Sequence, residues 1–214
     1  MANWFHRLLA RQFAQPSGAL GRLLIAPWLN RMSREDNRLM LARLALGSGD
    51  DFLEIGFGGG DLLAAALTKG QGAVTGIDIS PDIVARGRKR FQRQSRVTLV
   101  EGRATDLPLA TNSADRVASL HNLYFWDDPA RAFAEIHHVL RPQGRVVIGF
   151  EPAEQMRQWP GHEHGFRLWT GEEAAQLMHD AGFENVRHET VQKAVDVTFV
   201  SGTKAAKRPA HDHS

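Results

Sequence analysis

Apolar residues recur at helical spacing through the first part of the chain. Trp4, Phe5, Leu8, Leu9 and Phe13 form one set with Arg7 and Arg11 between them, and Pro16-Ser17-Gly18 breaks it. Leu20, Leu23, Leu24, Trp28 and Leu29 form a second set. Ser33 reads as the cap of a third helix, with Asp36 at its third position and an end near Gly47-Ser48-Gly49. From Asp51 the pattern changes to short apolar runs of strand length that alternate with helical stretches. Strands are predicted over 51–55, 73–79, 97–101, 115–123 and 145–151. Helices are predicted over 61–68, 81–92 and 129–140. Ser80-Pro81 and Asp128-Pro129 each pair an N-cap with a first-turn proline, and Pro142-Gln143-Gly144 turns the chain into the fifth strand.

Beyond that strand, residues 152–166 are polar, glycine-rich and histidine-bearing, the composition of a surface insertion. Thr170-Gly171-Glu172-Glu173 is a capping box for a helix ending at Gly182. Two last strands, near 186–191 and 195–202, have no helix between them and are expected to form a hairpin. Strand and helix alternation predicts an α/β fold with a parallel sheet covered on both faces, closed by an antiparallel strand. The organisation expected is an N-terminal helical extension or lid over 1–47, one domain over 48–204, and a polar, disordered tail over 205–214.

Composition narrows the classes. The 214 residues are 43% hydrophobic and 23% charged, ordinary for a globular protein. The absence of cysteine removes disulfides, thiolate-ligated zinc and thiolate catalysis. A formal charge of +2 gives no case for a nucleic-acid partner. The charge is uneven, however: Arg7, Arg11, Arg22, Arg31, Arg34, Arg38 and Arg43 face only Glu35 and Asp36 in the first 46 residues. This basic arm leaves peripheral membrane contact open, while no apolar run approaches the roughly 20 residues needed to span a bilayer. A cytoplasmic location is expected from these features.

The most informative stretch is Glu54-Ile55-Gly56-Phe57-Gly58-Gly59-Gly60-Asp61, between the first strand and its helix. Glycines there let a ligand approach the backbone, at the end of an α/β sheet where ligands bind. A dinucleotide fingerprint would want a further glycine at Asp61 and has no use for Glu54. Gly76-Ile77-Asp78-Ile79-Ser80 closes the second strand with an acid whose carboxylate suits a pair of ribose hydroxyls. A nicotinamide site would place an acid similarly, so Asp78 alone does not discriminate.

Taken with 101–108, 113–117, 140–144 and 199–204, these motifs resemble the class I, Rossmann-like S-adenosylmethionine-dependent methyltransferases. The resemblance runs from about Asp50 to Lys204. It implies a seven-stranded, mostly parallel sheet and S-adenosylmethionine as cofactor. It further implies cofactor contacts from Glu54, Gly56, Phe57, Gly58, Gly60, Asp78, Ile79, Arg103, Ala104 and His121. Many relatives carry an acid where this chain has Arg103. Ala104 retains a backbone N–H for the adenine ring, and Arg103 is suited to stack on it.

Methyl transfer from a sulfonium is an in-line displacement with an activated leaving group, so alignment and exclusion of water dominate. A base is needed only when the acceptor must lose a proton. Within Ser119-Leu120-His121-Asn122-Leu123-Tyr124-Phe125-Trp126, His121 is the candidate base, and Tyr124 and Trp126 are candidates to line the acceptor site. A buried, hydrogen-bonded histidine and aromatic core packing are the bland alternatives. His162-Glu163-His164 lacks an evident third ligand, and His211 and His213 fall in the tail, so no metal is expected. The function implied is methylation of a small-molecule acceptor. The competing readings are a membrane-associated methyltransferase acting on a phospholipid headgroup or isoprenoid quinone, a non-catalytic cofactor-binding regulator, and a nicotinamide-linked reductase.

Overall fold

The computed structural model describes residues 26–158 and 167–206. In chain order the elements are α1 (Ala26–Leu44), β1 (Phe52–Ile55), α2 (Asp61–Leu67), β2 (Val74–Asp78), α3 (Pro81–Arg90), β3 (Val97–Glu101) and β4 (Ala114–Leu120). A 3-10 turn over Leu123–Phe125 follows, then α4 (Pro129–Val139), β5 (Leu140–Phe150), α5 (Ala153–Met156), α6 (Gly171–Asp180), β6 (Glu184–Val191) and β7 (Val197–Thr203). The expected helix over residues 4–13 and the histidines at 162, 164, 211 and 213 lie outside the described residues.

The seven strands form one sheet in the order β3-β2-β1-β4-β5-β7-β6. Pairings from β3 to β5 are parallel, and β7 enters antiparallel between β5 and β6. The expected hairpin is therefore present, and it supplies the strand that runs against the others. Alternation along each strand feeds two cores. Phe52, Val147 and Phe199 pack with α1, α2 and α3 on one face, whereas Leu53, Val146 and Ile148 pack with α4 and α6 on the other.

Local signals explain most element ends. The Ser80 side chain accepts from the Ile83 N–H at the start of α3, and Asp128 accepts from Arg131 at the start of α4. The capping box of α6 is complete, with Thr170 and Glu173 each accepting from the other's backbone N–H.

Three boundaries differ from the sequence expectation. α1 is continuous through Ser33, so Ser33 is interior and Asp36 belongs to the helix body. There Asp36, Met40 and Leu44 follow one another at four-residue spacing on the buried face. β4 ends at Leu120, because His121 takes a left-handed φ of 58° that no strand can continue. β5 begins at Leu140, where Leu140 pairs with Ala114 and the 143–144 backbone bonds to Lys204.

The order places a topological switch between β1 and β4, from which the chain winds outward in both directions. The loops leaving those two strands therefore diverge and open a cleft at their carboxyl ends. Rigidity behind the cleft depends on α4, whose Phe133 is fully buried and meets Trp126 edge to face at 5.7 Å. Phe133→Ala should lower the unfolding free energy by about 3–5 kcal/mol, read as a reduced midpoint in urea at unchanged slope.

Candidate active site

β1 delivers Ile55 into a loop whose backbone turns back on β2. Gly56 and Phe57 both donate N–H to the Ile77 carbonyl, at 2.7 and 3.3 Å, and Gly60 donates to Phe57 at 2.7 Å. Gly56 and Gly58 adopt φ of 75° and 48°. The two positions exclude a side chain for different reasons. A Cβ on Gly56 would collide with the Asn122 amide, whereas a Cβ on Gly58 would meet no atom within 4 Å. Gly58 therefore presents bare backbone to open space. The ring of Phe57 points the other way, into the core beneath Gly76 and Gly87, so only its backbone remains at the loop.

Asp78 closes β2 and bridges two segments. One carboxylate oxygen accepts from the Gly58 N–H at 3.1 Å and the other from the Ser80 N–H at 3.0 Å. Each oxygen keeps a second lone pair for further donors. Beside it, Ile79 is 56% exposed, a large apolar side chain left on the surface of the cleft. Arg103 forms an exposed ion pair with Asp127 at 2.7 Å, and Ala104 next to it is half-buried.

Glu54 lies behind the loop and is buried, with one carboxylate oxygen lacking any hydrogen-bond partner. Burial, reinforced by the negative charges of Asp61 and Asp78, pushes its pKa well above the usual carboxyl range, against the Leu63 N–H and Arg90. Arg90 is committed elsewhere, pairing with Asp61 at 2.7 Å and donating to the Gly59 carbonyl.

The end of β4 is joined to the same loop. Ser119 donates its hydroxyl to the Ile55 carbonyl at 2.8 Å, and the Asn122 amide donates to Ile55, Gly56 and Leu120 carbonyls at 3.3, 3.2 and 2.6 Å. His121, one residue before Asn122, anchors its backbone N–H on Gly149 at 2.8 Å. Its ring lies between two groups: Nε2 is 3.0 Å from Asp36 Oδ2, and Nδ1 is 3.5 Å from the Tyr124 hydroxyl. Lys193, from the turn between β6 and β7, holds the other Asp36 oxygen, and the Tyr124 hydroxyl oxygen accepts the Glu151 N–H.

Burial raises the Asp36 pKa, but hydrogen bonds from His121 and Lys193 outweigh it and hold the carboxyl below its ordinary value. Burial raises Glu151, with His121 and Lys193 opposing. Burial and the nearby Glu151 carboxylate push Tyr124 well above the usual phenol range, so it remains a hydroxyl donor. Tyr124 and Trp126 are both buried in the core beneath α4, while Phe125 is 45% exposed.

The structure thus joins Gly58 to Asp78 by a hydrogen bond and Gly56 to the end of β4 through Asn122, the residue after His121, with Glu54 behind the loop, Ile79 exposed beside Asp78, and Arg103 and Ala104 beyond β3. Sequence reasoning missed Asn122, Asp36, Glu151 and Lys193. Asp36 left one signal, a charge in line with the buried Met40 and Leu44 of α1. Among the described residues no group of three or more histidine, aspartate or glutamate side chains is placed to hold a metal ion. No described helix is long and apolar enough to cross a membrane.

The profile of the "Methyltransferase domain" family matches residues 53–148. The chain is 29% identical over 119 residues to the uncharacterized methyltransferase YdaC of Bacillus subtilis, covering 55% of this chain and 65% of that protein. It is 31% identical over 146 residues to the demethylmenaquinone methyltransferase of Symbiobacterium thermophilum, covering 66% and 57% respectively. The chain therefore spans less than two thirds of the length of these curated relatives. A SAM-dependent methyltransferase from Aquifex aeolicus shares the fold with a TM-score of 0.67 at 20% identity, over 78% of this chain and 89% of that one.

The electrostatics of the loop give a test in the protein alone. A carboxyl whose folded pKa is raised binds its proton more tightly when folded, so stability falls as pH rises from the ordinary carboxyl range through the folded pKa. Glu54→Gln removes that group and should lose less stability across this interval than the wild type, measured as urea midpoints at stepped pH.

Proposed function

We propose that the chain is a Rossmann-like class I S-adenosylmethionine-dependent methyltransferase that methylates a small-molecule acceptor, with S-adenosylhomocysteine as the second product, a reading supported by the matched methyltransferase domain and the shared fold. The observation that carries this reading is the open face of Gly58, bracketed by the Asp78 carboxylate and backed by the unpaired oxygen of Glu54. S-adenosylmethionine supplies a cationic sulfonium, whose methyl is transferred in line to a nucleophile, and a cationic amino acid end.

The residues fit such a ligand. Glu54, a buried carboxyl with a spare oxygen that burial holds toward its neutral form, ionises more readily beside a positive charge and so suits a cationic ligand. The remaining lone pairs of Asp78 suit a ribose diol, and exposed Ile79 offers an apolar face to an adenine ring. The Ala104 N–H and the Arg103 guanidinium are assigned to the same ring, Arg103 without leaving its Asp127 partner. The backbone of Gly56, Phe57, Gly58 and Gly60 forms the surface against which the methionine part packs. His121, joined through Asn122 to the loop, is the group in reach of both donor and acceptor, and we assign it as the base. Tyr124 is assigned to hold His121 by hydrogen bonding, since its phenol is held protonated.

A membrane-associated acceptor such as an isoprenoid quinone is a second reading, favoured by the similarity to demethylmenaquinone methyltransferase. The basic arm that would reach a membrane lies mostly outside the described residues. Salt-sensitive sedimentation with anionic but not neutral vesicles would support this reading, and equal recovery would remove it. Calorimetric titration with S-adenosylhomocysteine and with NAD distinguishes a methyltransferase from a reductase. An S-adenosylhomocysteine-releasing assay over a metabolite library distinguishes an enzyme from a non-catalytic binder.

Asp78→Ala should weaken S-adenosylmethionine binding by about 1.5–3 kcal/mol, the worth of charge-assisted hydrogen bonds. Unchanged affinity in the folded variant would remove the ribose contact. His121→Ala should lower turnover by roughly 10²–10⁴ with little change in cofactor affinity. Identical acidic limbs in the two pH–rate profiles at saturating cofactor would eliminate His121 as the base.

A further inference from the structure

The two ring contacts of His121 select one tautomer. Asp36 is fully buried, and its carboxylate can only accept, so the Nε2 that faces it at 3.0 Å must carry the hydrogen. The neutral ring then has its lone pair at Nδ1. That atom faces the Tyr124 hydroxyl, whose oxygen accepts the Glu151 N–H and whose proton can be donated to Nδ1 across 3.5 Å, a long contact that an incoming acceptor can replace. Both neighbours are satisfied by the Nε2–H form and by no other neutral form.

We propose that Asp36 is a positioning residue for methyl transfer, which fixes His121 as the Nε2–H tautomer and leaves Nδ1 as the atom that takes the acceptor's proton. The proposal rests on the methyltransferase reading above and narrows its acceptor to a protic nucleophile. In the step, the acceptor's X–H proton passes to His121 Nδ1, and the freed electron pair of X forms the bond to the methyl carbon. The carbon–sulfur bond breaks with its pair retained on sulfur, and the imidazolium later returns its proton to solvent. A tertiary amine or a thioether has no proton to give and would not use this device.

Charge placement favours orientation over field. Lys193 already offsets the Asp36 carboxylate, so the pair presents little net charge to the ring. The titratable groups facing His121 are Asp36 from α1, Tyr124 from the turn after β4 and Glu151 after β5, with Lys193 from the β6–β7 turn behind Asp36. Asp36 stays ionised below its ordinary pKa and Tyr124 stays protonated, which preserves the donor pattern across neutral pH. α1 is therefore part of the reacting site as well as a cover on the sheet.

Nitrogen-15 NMR of His121 in the full chain, above the pH at which the imidazole is protonated, reads the tautomer directly. The wild type should show the Nε2–H form, and an Nδ1–H signal there overturns the proposal without any variant. Asp36→Asn should shift His121 toward a mixture or the opposite tautomer and lower kcat by at least about tenfold. In a serine-protease triad the same change, which leaves the wrong tautomer, costs ~10⁴. The KM for S-adenosylmethionine should hold. An unchanged tautomer in Asp36→Asn overturns the positioning role. A changed tautomer with unchanged kcat removes His121 Nδ1 from the reaction and overturns the proposal while methyl transfer itself stands. Failure of the underlying function looks different, because the wild type then releases no S-adenosylhomocysteine from any acceptor although its tautomer is still readable. That result overturns the catalytic use of the dyad together with the function.

Discussion

Where β1 and β4 end side by side, three backbone carbonyls converge on the side-chain amide of Asn122. Carbonyls at the ends of adjacent parallel strands have no ladder partner, and burying them unpaired would be costly. The amide satisfies them and joins the loop after β1 to the chain after β4. The remaining geometry follows from this link. Gly56 must lack a side chain because the amide occupies its place. His121, the preceding residue, is carried into a left-handed conformation that turns its ring toward α1. Gly58, two residues along the loop from Gly56, is left facing the cleft. The loop thus has one glycine that makes room for the protein itself and another that leaves room for a ligand.

Two buried carboxylates on either side of that link show how partners decide charge. Asp36 receives hydrogen bonds from an imidazole and an ammonium, which overcome its burial. Glu54 has one backbone donor, two like charges nearby and an orphaned oxygen, and burial prevails. The first is a finished ion-pair network and the second is incomplete in the protein alone. Under the proposed function, a cationic ligand near Glu54 would supply the missing partner. This difference separates the β1 loop, left unfinished at Glu54, from the Asp36 network, whose oxygens are both paired.

The glycine loop, Asp78, the strand succession and the caps at Ser80, Asp128 and Thr170 were legible in the sequence because each is a local event. The readings that failed involve competition between local and distant preferences. Ser33 has the chemistry of a cap, yet the helix passes through it, since a capping preference worth about 1 kcal/mol yields to packing along a buried stripe. The apolar residues after Leu120 suggested more strand, but Leu123 and Tyr124 serve the core from a 3-10 turn instead. Phe57 is a related case, since its ring fills the space left by Gly76 and Gly87 and only its backbone remains at the loop. Asn122 had no local signature of function, and Asp36 had only its place in line with the buried Met40 and Leu44. The meeting of Asp36 with His121 joins residues 85 positions apart and exists only once the sheet has formed.

Glu54, Gly56, Gly58, Asp78 and His121 lie inside residues 53–148, the span shared with the methyltransferase family. Asp36, Glu151 and Lys193 lie outside it. They come from the helix before the first strand, from the end of the fifth strand and from the closing turn. Those outer pieces are bound to one another: Arg43 of α1 pairs with Glu189 of β6 at 2.7 Å and lies 4.2 Å above the Phe199 ring of β7, while Lys193 reaches Asp36. The hairpin that closes the sheet is thereby coupled to the helix that precedes it. A substitution on either can move the wall beside His121 without touching the glycine loop.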